Sequence, residues 1–175
     1  MPYDSGTVAD PRALRLYHDD KLLKSWIDVT TGVDTANHTV SGEVTSFFWF
    51  AAGSPRLVFG GFERPIDPGG TRVFKLGQTV PVKFQLTEAS GRPVTNAVAR
   101  IYVAKVVNGI PGVESPGAST KPKSDNTVRC SKPDHKYIFD LETRHLSSGV
   151  WQIRVMLDDG LSYVAVVSLL SKGGK

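Results

Sequence analysis

The sequence predicts an all-β protein, a two-layered sandwich preceded by additional strands. Three observations point there. Val80, Val82, Phe84 and Leu86 alternate with Pro81, Lys83 and Gln85, the two-residue period of a half-buried strand. Two more such rows close the chain: Trp151, Ile153, Val155 and Leu157, then Leu161, Tyr163, Ala165, Val167 and Leu169. Seventeen Gly and eleven Pro punctuate these short runs, the spacing of turns in an antiparallel architecture. With 40% hydrophobic and 22% charged residues the composition is that of an ordinary globular domain. A chain of 175 residues buries about 70% of its unfolded surface.

Taken in order, residues 1–12 read as a flexible polar leader containing Pro2, Gly6 and Pro11. Residues 13–57 read as a β extension. In it Leu14–Tyr17 and Leu22–Val29 form a hairpin about a tight turn at His18-Asp19-Asp20-Lys21. Val40 through Phe50 is the longest extended candidate, and Phe47-Phe48-Trp49-Phe50 is apolar on both of its faces. Such a strand is either buried on both sides by its own domain or covered on one side by a neighbouring molecule. Gly53-Ser54-Pro55 and residues 65–70 punctuate the link into residues 58–172, the sandwich. Pro81 has no N–H for a ladder, which places its strand at the margin of a sheet. Residues 88–93 turn and Val98–Val107 is a strand. Residues 108–126 then form a nineteen-residue loop with three prolines and three glycines, a mobile insertion or a binding loop.

The connection between the last two rows follows from their faces. A two-residue loop at Asp159-Gly160 would set the apolar rows on opposite sides of the sheet. A three-residue loop, Asp158-Asp159-Gly160, pairs Val155 with Tyr163 and keeps both rows on one core, and it requires a left-handed Gly160.

Gly61-Phe62, Pro65-Ile66-Asp67 and Lys75 through Phe84 resemble the PxKF domain, named for the pattern found here as Pro81-x-Lys83-Phe84. Tyr137 through Thr143, Leu146, Gly149 and Trp151 through Gly160 are similar to the end of that domain, where Tyr is commoner at the Trp151 position. The resemblance covers roughly residues 58–170. It implies an immunoglobulin-like β-sandwich, non-catalytic, from secreted or surface-attached prokaryotic proteins, and it supplies no catalytic residue.

The chemistry-bearing residues point the same way. His18, His38, His135 and His145 stand at no metal-ligand spacing. Asp19-Asp20 and Asp158-Asp159 sit where turn chemistry explains them, and no EF-hand spacing surrounds either pair. Nucleophile elbow, Walker loop and dinucleotide fingerprint are missing from the sequence. Cys130 is the only cysteine, so no intrachain disulfide forms. The net charge of +4 is dispersed, its densest part being Lys121-Pro122-Lys123 without interleaved aromatics, so no nucleic-acid partner is expected. Met1–Ser5 has neither the charged nor the apolar region of an export signal. No apolar run approaches the ~20 residues needed to insert in a membrane.

The expected function is that of a non-catalytic, extracellular or cell-surface structural or adhesive module. It uses no cofactor, metal or catalytic residue, and its partners are other protein subunits or surface proteins, itself included. Its candidate interaction surface is Phe47, Phe48, Trp49 and Phe50 with Trp26. Two alternatives are a self-assembling filament or sheath subunit using the N-terminal segment, and a glycan-binding module using Trp26, Trp49 and the 108–126 loop.

Overall fold

A computed structural model describes residues 1–6, 8, 10–21, 25–46, 48–54, 56–66, 72–121 and 125–171. Phe47, residues 22–24, 67–70 and Pro122-Lys123, all drawn into the sequence-based reading above, lie outside the described residues.

The sandwich is built from strands β6 (Val58–Phe62), β7 (Arg72–Lys75), β8 (Thr79–Thr87), β9 (Ala99–Val107), β10 (Ile110–Pro111), β11 (Ser115–Pro116), β12 (Arg129–Ser131), β13 (Lys136–Glu142), β14 (Gly149–Leu157) and β15 (Ser162–Leu170). One sheet runs β12-β13-β8-β6; the other runs β10-β9-β14-β15-β7, with β11 also paired to β9. Leave aside β7, which lies parallel to β15, and the short β10 and β11. The remaining seven strands then divide first, second, fifth and fourth against third, sixth and seventh. That division defines the immunoglobulin sandwich.

The alternating rows make the core. Val80, Val82, Phe84 and Leu86 of β8 are fully buried, as are Tyr137 of β13 and Ile153 and Val155 of β14. The Phe84 ring stacks on Tyr137 with centroids 5.2 Å apart, and Phe59 stacks on Tyr163 at 4.1 Å. Tyr137 satisfies its hydroxyl by accepting the Ala97 N–H at 3.0 Å. Trp151 Nε1–H donates to the Ser147 carbonyl at 2.8 Å and fixes the corner leading into β14. In antibody-type domains a tyrosine does this, two residues before the second disulfide cysteine. Here that later position is Ile153.

The final hairpin has the expected three-residue connection. Val155 pairs with Tyr163, Leu157 N–H donates to Leu161 O at 2.9 Å, and Gly160 has φ +86°.

The N-terminal residues make a smaller unit. Strand β1 (Arg15–Asp20) lies between β2 (Ser25–Asp28) and β5 (Phe50–Gly53), and β3 (Thr30–Asp34) pairs with β4 (Thr39–Gly42). The leader's first residues run along β4: Val40 N–H donates to Met1 O and Tyr3 N–H to His38 O, both at 2.9 Å. Leu14, Leu16 and Val40 form the buried centre. The unit docks on the sandwich through a parallel bridge from Trp26 to Leu161 and an Arg56–Asp158 ion pair at 3.1 Å.

Four local expectations are corrected. The β8 strand is internal, between β13 and β6; Pro81 is tolerated because β6 opposes only Phe84 to Thr87 and leaves that flank of Pro81 open. His18, Asp19 and Asp20 are strand residues, because the β1–β2 ladder extends to Asp20 opposite Ser25. Val40–Phe50 is not one strand. Gly42 presses against Val29, where a Cβ would stand 2.4 Å from the Val29 carbonyl oxygen, and the chain leaves the ladder there before re-entering at Phe50. The described residues of the 108–126 stretch are not a free loop: β10 and β11 fold back onto β9, and Ser119 bridges to Leu141. Gly117 permits this, since a Cβ would lie 2.8 Å from Ile101 Cγ2.

Candidate functional site

Three features at and beside the junction of the two units concentrate exposed apolar surface or unpartnered polar groups. The first is an aromatic rim. Phe48 is 50% exposed and Trp49 72% exposed, large values for side chains of this size. Their backbone is held in place, because Asp19 N–H donates to the Trp49 carbonyl at 3.0 Å. The His18 ring lies 6.2 Å from Phe48 and 5.0 Å from Phe50, and the Lys21 ammonium stands 5.7 Å above the Phe48 ring. Lys21 also pairs with Asp19. Phe50 is half-buried against the small core. The structure therefore separates the residues that the sequence grouped: Phe48 and Trp49 form the surface, Phe50 anchors it from beneath, and Phe47 lies outside the described residues.

Trp26 belongs to the second feature, a pocket of about 340 Å³ between the units lined by Tyr17, Trp26, Ala51, Arg56, Asp159 and Leu161, with Ser54. In the β1–β2 ladder Trp26 stands opposite Asp19 and Tyr17 opposite Asp28, so Tyr17 and Trp26 share one sheet face. Asp159 Oδ1 accepts the Leu161 N–H at 3.1 Å, while Oδ2 and the Tyr17 hydroxyl are both shielded from solvent and find no partner among the described residues. Burial raises the Asp159 carboxyl above the usual carboxylate range, and the neighbouring Asp158 adds to this. Burial also raises the Tyr17 phenol, with Asp28 reinforcing the shift, and pushes Tyr163 up to about 12 with help from Asp159.

The third feature is a groove of about 910 Å³ between β3 and the outer face of β14–β15, with Arg12, Arg15, Ile27, Gln152 and Val164 among its walls. Gln152 is 6% exposed, and its Nε2 is without a partner among the described residues. Beyond it Arg154, 4% exposed, forks onto Glu114 through Nε at 2.7 Å and a second nitrogen at 2.5 Å. The Arg154 guanidinium lies 4.7 Å from the Tyr102 ring. No periodic pattern signals this pairing. Arg154 falls on the outward row of β14, which alternation assigns to solvent. Only the fold-back of residues 110–116 brings Glu114 over it.

The remaining predicted polar positions carry no shared site. His135 and His145 are exposed, and Asp158 is engaged by Arg56. Cys130 is a free, half-buried thiol, raised by burial. Among the described residues no three His, Cys, Asp or Glu side chains converge as metal ligands. No described helix is long and apolar enough to cross a membrane.

Neither a family model nor a curated protein sequence matches this chain. Among solved structures it is similar to a chain of the crystal structure of Dpr1 IG1 bound to DIP-eta IG1, at 10% identity. The similarity spans 63% of this chain and 93% of that one, with a TM-score of 0.28. The strand order described above, and not this distant likeness, carries the assignment of the fold.

Proposed function

We propose that the chain is a non-catalytic adhesive module that binds protein, a second copy of itself included, through the Phe48–Trp49 rim. The observation that carries this reading is the exposure of two adjacent large aromatics on a backbone tied to β1. Aromatic side chains presented on a rigid frame are favoured anchors of protein interfaces. The resemblance of residues 58–170 to the PxKF domain supports placing the module on a secreted or surface-attached prokaryotic protein. The filament alternative that uses the N-terminal segment loses support, because residues 1–3 already lie along β4 of their own chain.

Beads coated with the protein test the reading, since many weak contacts between surfaces add up. Wild-type beads cluster, and beads carrying Phe48→Ala with Trp49→Ala stay dispersed. Dispersed wild-type beads, or clustering that survives the double substitution, would overturn the reading.

A further inference from the structure

Two of the residues that line the pocket beside Trp26 carry a buried polar atom with no partner among the described residues. Tyr17 is 8% exposed, and its hydroxyl finds no hydrogen-bond partner among the described residues; neither does Oδ2 of Asp159. Such groups are rare in folded proteins, because desolvating a polar atom without giving it a partner is costly, and each one calls for an explanation. Both residues line the same cavity, one on each side of the junction between the two units.

The chemistry of the walls narrows what fits. Two charged residues line the cavity; Arg56 is already paired with Asp158 at 3.1 Å, so the Asp159 carboxylate sets the local charge and disfavours an anion. The lining has a single acid, so a calcium-like cation would lack most of the oxygens it needs. A purely apolar ligand would leave Asp159 and Tyr17 as they are. What remains is a neutral molecule bearing several hydroxyls and one flat apolar face. Its hydroxyl donates to Asp159 Oδ2, another exchanges a hydrogen bond with the Tyr17 hydroxyl, and its C–H face lies against the Trp26 indole. The volume of about 340 Å³ sits at the small end of ligand pockets and suits one ring. Asp159 needs only its Oδ1 to hold the Leu161 N–H in the final hairpin, so Oδ2 is available without disturbing the turn.

We propose that this pocket, formed by Tyr17, Trp26, Ala51, Asp159 and Leu161, binds a neutral hexopyranose ring as a terminal or branch residue of a glycan. The site is separate from the Phe48–Trp49 rim and goes beyond protein adhesion. It requires both units, because Tyr17, Trp26 and Ala51 come from the N-terminal unit and Asp159 and Leu161 from the sandwich.

The test is a titration of the full chain with the methyl glycosides of glucose, mannose, galactose and N-acetylglucosamine. Ligand-observed saturation-transfer NMR follows the sugar, and the Trp26 indole N–H resonance follows the protein. At least one glycoside is expected to bind saturably and to move the Trp26 signal. Asp159→Asn keeps an acceptor for Leu161 N–H but loses the carboxylate charge, and is expected to weaken binding about tenfold. Tyr17→Phe removes a single hydroxyl and is expected to weaken it about three- to tenfold. The idea fails if no glycoside saturates, or if binding leaves the Trp26 signal unmoved. Equal affinity in wild type and both variants also sinks it, and bound water then accounts for the two atoms. The wild-type Trp26 signal decides the matter even if a variant does not fold.

Discussion

The two halves of this molecule spend their apolar residues differently. In the sandwich the rows of β8, β13, β14 and β15 meet across one continuous core that includes Phe84, Tyr137, Ile153 and Val167. In residues 1–57 the buried centre is Leu14, Leu16 and Val40, flanked by partly buried side chains, while Phe48 and Trp49 remain outside. A unit of that size has too little interior to cover all its large side chains. It acquires stability by leaning on the sandwich through Trp26 and Arg56. A region that is only marginally self-sufficient and carries its aromatics outward is well suited to contact, and the well-packed half is well suited to holding it in place.

The sharpest way to break this contrast is to damage each core separately. Phe84→Ala removes a fully buried ring that touches both Tyr137 and Phe59, and should cost about 3–5 kcal/mol and unfold the whole chain together, as read by denaturant melts. Leu16→Ala should cost about 2–4 kcal/mol within the N-terminal unit alone. Its expected signature is rapid hydrogen exchange and proteolysis within residues 1–57, with β8 and β14 amides still protected. If Leu16→Ala melts both halves in a single step, the two are one cooperative unit and the contrast is wrong.

How much of this was legible in the sequence also divides along the two halves. In the sandwich, side chains alternate between a wet and a dry face, so Val80 to Leu86 and Trp151 to Leu169 announced their strands, and the faces of Leu157 and Leu161 fixed the loop and the sign of φ at Gly160. In the N-terminal unit the decisive facts are close approaches that have no periodic signature. Gly42 against the Val29 carbonyl ended a strand that the pattern continued to Phe50. The sandwich has its own exception, since the fold-back of Glu114 onto Arg154 joins residues forty positions apart. The pocket was partly visible, since Trp26 was singled out, but Tyr17 and Asp159 meet only through docking of the two units.

Two smaller measurements sharpen the comparison. Trp151→Phe keeps most of the ring's packing and loses the hydrogen bond to Ser147 O, an expected cost of about 1 kcal/mol that falls on the sandwich alone. The junction should show itself in alkali. Tyr163 is raised from its ordinary 10.0 to about 12 in the fold, mainly by burial, so the native state holds that proton more tightly than the unfolded chain does. Its contribution to stability is complete below pH 10.0 and is lost as the pH climbs through about 12. Absorbance titration should show Tyr163 among the late-ionising tyrosines, with Tyr17 and Tyr137, and Asp159→Asn should shift the Tyr163 step back toward the ordinary value, because the Asp159 charge is part of what raises it. A Tyr163 that ionises normally in the wild type would mean the two units do not shield it.

Ile153, at the place where related architectures carry half of a cross-layer sulfur bridge, gives the molecule a practical character. No disulfide ties its two sheets, so glutathione and other reductants should leave its melting curve where it is. Such a fold needs neither a disulfide isomerase nor an oxidant to mature, in a reducing compartment or an oxidising one.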